Sequence, residues 1–147
     1  MRILLGADDG RVVAKANHIA RWALTIVMVV AGGNHFITPD TYVGMTPAAL
    51  PAPLALVYIS GIAEIAGGLG LVLPRTRKLA AYGLIALYIA VFPANLNMAL
   101  NHLPLGTTPV PTWALWARLP LQLVFIVWAW WVGRSPTAPP QATPVDR

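Results

Sequence analysis

The chain has no cysteine and only five carboxylates in 147 residues, and each scarcity removes a class of chemistry. Without cysteine there is no disulfide, no thiolate metal site and no thiol redox chemistry by the protein itself, so a redox role has to borrow a cofactor. Charged residues make up 10% of the chain and hydrophobic ones 57%, with a mean hydropathy of +0.65, which excludes an ordinary water-soluble domain. Phosphate-cradling Gly-rich loops, nucleophile elbows and zinc-protease helices are also missing. The net charge of +5 does not indicate a nucleic-acid partner, since the basic residues form no stripe and do not interleave with aromatics.

What is present is apolar length. A membrane span takes ~20 apolar residues, and four segments supply it, at about 18–36, 52–73, 79–101 and 113–132. The expected fold is an all-α membrane protein, a four-transmembrane-helix bundle spanning 16–134. A cytoplasmic N-terminal segment, 1–15, is expected before it, and a disordered Pro-rich tail, 135–147, after it. The early run ILLGA is too short for a secretory signal and is followed by Asp8, Asp9 and Arg11, so the first span is expected to stay as an uncleaved anchor.

Charge placement orients the bundle. Arg2, Arg11 and Lys15 precede the first span, Arg75, Arg77 and Lys78 fill the turn after the second, and Arg134 follows the fourth. The connections 37–51 and 103–112 contain no Lys or Arg, so the positive-inside rule is expected to put both termini on the cytoplasmic side. Trp113 and Trp116 at one end of the fourth span, and Trp128, Trp130 and Trp131 at the other, mark the two interfaces in the same sense. Arg21 is expected to lean toward the cytoplasm. The outer connection, with prolines at 39, 47, 51 and 53, is expected to be a folded cover with one or two short turns, placing Tyr42 and Met45 at headgroup level.

Glu64 is the one carboxylate inside a span. A charge near the bilayer centre costs a few kcal/mol, roughly 2.5–3.5 on insertion scales, so it is expected to turn inward and pair. Ser60, Glu64 and Gly68 share one helical row, and Gly67, Gly68 and Gly70 offer small surfaces for close helix packing. Counting ~1.5 Å of rise per residue from the outer ends places Asn95, Gln122 and Arg118 within reach of an outward-leaning Glu64. Tyr88, Phe92, Asn95 and His102 can share a row on the third helix, and Arg118, Gln122, Phe125 and Ala129 follow one stripe of the fourth. The expected binding set is Glu64, Asn95, Arg118 and Gln122, closed by His35 and His102. Two readings stand: a site for a small polar or quinone-like head group, or a satisfied polar cluster that sets helix register. Two histidines with only Asp40 as a nearby carboxylate are too few for a metal, so no metal site is expected.

A shift of 67 residues aligns Asn34-His35 with Asn101-His102 and the run from Pro53 to Ile59 with Pro120 to Ile126, giving nine identities in 26 positions. That pattern is expected of two repeated helical hairpins. Glu64 falls opposite Trp131, so the carboxylate belongs to one half alone.

The segments GNHFITPDTYVGMTP and LVYISGIAEIAGGLGLVLPRTRKLAAYGLIALYIAVFPANLNMAL, followed by RLPLQ, resemble the DoxX family of bacterial membrane proteins over about residues 16–132. The run from Glu64 to Leu71 and the basic turn into the third helix carry most of the likeness. The resemblance implies a four-helix integral membrane protein, related to subunits of quinol oxidase and quinone-linked thiosulfate oxidoreductase complexes. It allows a quinone as cofactor and the bilayer, redox-complex subunits or further copies of the chain as partners, without an independent enzymatic activity. A small-solute or proton carrier using the Glu64 cavity is the alternative, and a membrane scaffold or assembly factor is the third reading.

Overall fold

Few breakers interrupt the apolar runs, and they become long helices. The computed structural model describes residues 2–134, with side chains from residue 10 onward. It contains α1 (Arg2–Ile37), α2 (Pro39–Met45), α3 (Pro53–Val72), α4 (Arg77–Leu100) and α5 (Thr112–Gly133). Pro39 and Pro53 stand in the first turns of α2 and α3, where the missing N–H is no loss. Pro93 and Pro120 sit inside α4 and α5 and each deprives one carbonyl of its amide partner.

Four of these helices are long and apolar enough to cross a membrane: Gly10–Ile37, Pro53–Val72, Arg77–Leu100 and Thr112–Gly133. Their outward faces carry Ile26, Ile59, Ile89 and Leu123, each about 60% exposed. Such faces on every long helix are those of a bundle dissolved in lipid, where only the inward stripes need partners. The architecture is an all-α four-helix bundle in a multi-pass membrane protein.

Two features concern the ends. No proline stands between Arg2 and the first span, and residues 2–15 of the expected N-terminal segment form the start of α1. Met45 is buried with Met98, Ala99 and Leu115, because α2 folds back over the bundle and Asn97 Nδ2 donates to the Met45 carbonyl at 3.0 Å. The tail at 135–147 lies outside the described residues.

The chain packs as two hairpins, α1 with α3 and α4 with α5, joined by α3 against α4 and more sparsely by α1 against α5. Positions related by the 67-residue shift do not keep the same place, however: Pro53 opens α3, while Pro120 lies eight residues into α5. Glycines let α3 serve as the central helix. A Cβ on Gly61 or Gly68 would press on α1, at His35 and Met28, whereas one on Gly67 or Gly70 would press on α4, at Leu84 and Ala80. The packing role expected of Gly67, Gly68 and Gly70 is therefore divided between two neighbours.

The bundle has two unlike ends. One gathers the α3–α4 turn, the end of α5 and Arg11, Lys15, Arg21, Arg75, Arg77, Lys78 and Arg134, and we call it the basic end. The other carries α2 and the 101–111 connection, which touch where Gly106, at φ +62°, leaves no room for a Cβ beside Thr41 Oγ1.

Candidate functional site

Glu64 meets α1, not α5. Its Oε2 lies 3.6 Å from His35 Nε2, with both side chains nearly buried, and Oε2 is sealed from water with no hydrogen bond among the described residues. The ion-pair partner is thus His35 rather than the expected Arg118. The reason is helix register: Gly32 and Gly61 bring α1 and α3 into backbone contact, and this sets His35 beside Val57 and Ser60, one to two turns outward of Glu64. The carboxylate then leans toward the start of α3, as helical side chains do, and reaches the imidazole.

The histidine is held on its other side as well. His35 Nδ1 is 2.9 Å from the Val57 carbonyl oxygen and 3.0 Å from Ser60 Oγ, and Ser60 Oγ donates to the same carbonyl at 2.8 Å. A carbonyl only accepts, and the serine proton is already committed to it, so Nδ1 carries the hydrogen. In the neutral ring Nε2 is then a bare lone pair facing Glu64. An ionised carboxylate would repel that lone pair, so one proton on either partner is what makes the pair attract. Tyr42 stacks on the imidazole at 3.8 Å between ring centroids, and its hydroxyl accepts from Asn34 Nδ2 at 2.9 Å. The tyrosine of α2 thus closes the site.

Asn95, Gln122 and Arg118 form a second, separate set. Asn95 Nδ2 donates to Gln122 Oε1 at 2.8 Å, Arg118 Nη2 approaches Asn95 Oδ1 at 3.4 Å, and Gln122 Nε2 donates to the Tyr88 carbonyl. That carbonyl precedes Ile89, whose own oxygen faces the amide-free Pro93, so Gln122 serves the stretch where the α4 ladder is broken. Tyr88 ties α4 to α1, its hydroxyl donating to Met28 Sδ at 2.9 Å. Removing the middle of this set tests it. Gln122→Leu is expected to strand the Asn95 amide and to lower stability by about 1–3 kcal/mol, read as a lower melting temperature in detergent.

His102 takes no part. It is exposed just beyond α4, at φ +51°, and no contact joins it to His35. Phe92 is also largely exposed, so of its row Tyr88 is buried and Asn95 half-buried. The stripe on α5 holds, with Gln122 and Ala129 buried and Arg118 and Phe125 half-buried. Arg21 leans as expected, its Nη2 donating to Asn17 Oδ1 one turn back at 2.8 Å. Neither the His35–Ser60–Val57 anchor nor the Gly32–Gly61 crossing is named by the sequence pattern alone. The signals the sequence does offer are Ser60 standing a turn before Glu64 and the paired glycines Gly32-Gly33, which permit close helix approach.

A bundle with a buried imidazole–carboxyl pair in its loop-end half, capped by a tyrosine, defines a class: multi-pass membrane proteins with an ionisable site inside the lipid zone. Within that class the chain belongs to the family described as a domain of unknown function, DUF8561, whose model matches residues 24–133. No curated protein and no solved structure matches it.

Proposed function

We propose that this protein is a DoxX-like accessory of a quinone-linked redox complex in the bacterial cytoplasmic membrane, with both termini cytoplasmic. In this reading the His35–Glu64 pair meets the quinone head group. The observation that carries it is the sealed, unbonded Oε2 of Glu64 beside His35 Nε2 in a membrane span. Such a pair holds one proton and keeps an acceptor in reserve, which is what a quinol hydroxyl gives up and a quinone carbonyl takes. Ionisable groups within a span are costly and mark functional sites by default. The resemblance of the segment from Glu64 to Leu71 to DoxX sequences supplies the redox context.

The carrier reading has less support. Toward the basic end the apolar core of Leu24, Met28, Leu71, Leu84, Ala129 and Val132 surrounds few polar groups, and of these Thr25 already donates to the Gly68 carbonyl. The test is purification of the native protein from its membranes, with bound quinone and co-purifying subunits quantified for wild type and Glu64→Gln. Wild type is expected to retain quinone and a redox partner, with quinone occupancy in the variant lowered roughly ten-fold, the loss of one charge-assisted hydrogen bond. Wild type that carries neither quinone nor a redox subunit sinks the proposal.

A further inference from the structure

At the basic end, all four long helices converge on two arginines. Arg77, only 7% exposed, opens α4 and donates from Nε to the Leu71 carbonyl in the last turn of α3, at 3.2 Å. Arg21 of α1 donates to Asn17, whose own Nδ2 donates to the Trp131 carbonyl of α5 at 3.5 Å. Helix capping accounts for part of this arrangement, since Thr76 Oγ1 also donates to the orphan Gly70 carbonyl at 2.9 Å. It does not account for the charge. Thr25 Oγ1 donates to the Gly68 carbonyl at 2.9 Å, so one turn further toward the basic end Arg21 stands at the level of Leu71, the residue that Arg77 holds. Arg21 Nε is buried without a hydrogen-bond partner. Among the residues whose side chains are described, no carboxylate pairs with either arginine.

Two partly buried like charges, one with an unpartnered buried N–H, are stabilised by an anion they can share, and planar guanidinium forks suit phosphate oxygens. Their surroundings state what kind of phosphate can arrive. Trp22, Trp128, Trp130 and Trp131 lie at the same level, and aromatic residues of this kind settle at the headgroup region of a bilayer. Basic pockets between membrane helices at that level take the head groups of anionic phospholipids.

We propose that Arg21 and Arg77 together form a phosphate-binding site at the basic end of the bundle, filled by the head group of an anionic phospholipid. The phosphate neutralises the pair and ties α1 to α4, which are otherwise connected through α3. This site lies at the opposite end from the His35–Glu64 pair and does not depend on what that pair does.

The test uses the full chain in a neutral detergent, stripped of lipid and titrated with phosphatidylglycerol, phosphatidylcholine or inorganic phosphate while thermal unfolding is followed. Phosphatidylglycerol is expected to raise the melting temperature by roughly 5 °C near saturation, and phosphatidylcholine not at all. A rise with inorganic phosphate alone keeps the arginine site but assigns it to the free anion. Arg21→Gln, which leaves the Arg77 cap in place, should remove the response, and Lys78→Gln on the same turn should keep it. Native mass spectrometry of wild type should show the bound anionic lipid directly and guards against a variant that fails to fold. An equal response to phosphatidylcholine, an undiminished response in Arg21→Gln, or no response to any phosphate overturns the proposal.

Discussion

Alanine at Gly32 is expected to weaken the bundle by about 1–3 kcal/mol, the range for forcing extra volume into a packed core, whereas alanine at Gly33 is expected to be neutral or slightly stabilising. The two residues are neighbours on α1, and what separates them is what a methyl group would meet. At Gly32 it would stand 2.6 Å from the Gly61 carbonyl oxygen and 2.8 Å from Ile65 Cγ1, while at Gly33 nothing lies within 4 Å. The first of those atoms is backbone and cannot swing aside, so α1 and α3 must separate. Lipid offers no hydrophobic gain to offset this, since packing and hydrogen bonds drive helix association there. Separation also carries His35 away from Val57 and Ser60, so Gly32→Ala should disturb the site as well as the fold. At Gly33 only the intrinsic preference of helices for alanine remains, about 0.8–1.0 kcal/mol in water. Thermal unfolding of both variants in one detergent decides the matter. Equal melting temperatures would mean that the α1–α3 crossing is not where the glycines place it.

That crossing also explains what could and could not be read from the residues alone. Span number, the tilt of Arg21 toward the basic end and the buried stripe of Gln122 and Ala129 follow from composition and helical period, which act within one helix. Pairing between helices is different. Depth counted from helix ends put Glu64 near Asn95, Gln122 and Arg118, yet two helices at similar depth touch only if their faces and register agree. The Gly32–Gly61 contact sets that register, and it turns Glu64 toward α1. Asn95, Gln122 and Arg118 were rightly grouped with each other because α4 and α5 are antiparallel neighbours and Pro93 leaves a gap in the ladder there. His102, expected to close the site together with His35, stands apart because it follows the end of α4, while His35 lies inside the α1–α3 contact.

The second large effect is expected at the pair itself, from His35→Leu set against the double replacement His35→Leu with Glu64→Leu. Removing the imidazole alone leaves the Glu64 carboxyl buried with no partner, a loss of about 3–5 kcal/mol when one member of a buried pair is taken away. The rest of the anchor survives, because Ser60 still donates to the Val57 carbonyl without the histidine. Glu64→Leu alone leaves only a neutral imidazole, still anchored through Nδ1, and should cost about 1 kcal/mol or less. With both replaced, no polar group is stranded, and apolar side chains filling a former pair are often neutral or stabilising. The double variant should therefore be more stable than His35→Leu by several kcal/mol, and the non-additivity measures the coupling between the two residues. Additive losses would show that they do not act as a pair. A double variant as stable as wild type, yet unable to retain quinone, would show something further. The two ionisable groups would then be dispensable for holding the helices together, and the bilayer's penalty on Glu64 would be borne for the chemistry of the site.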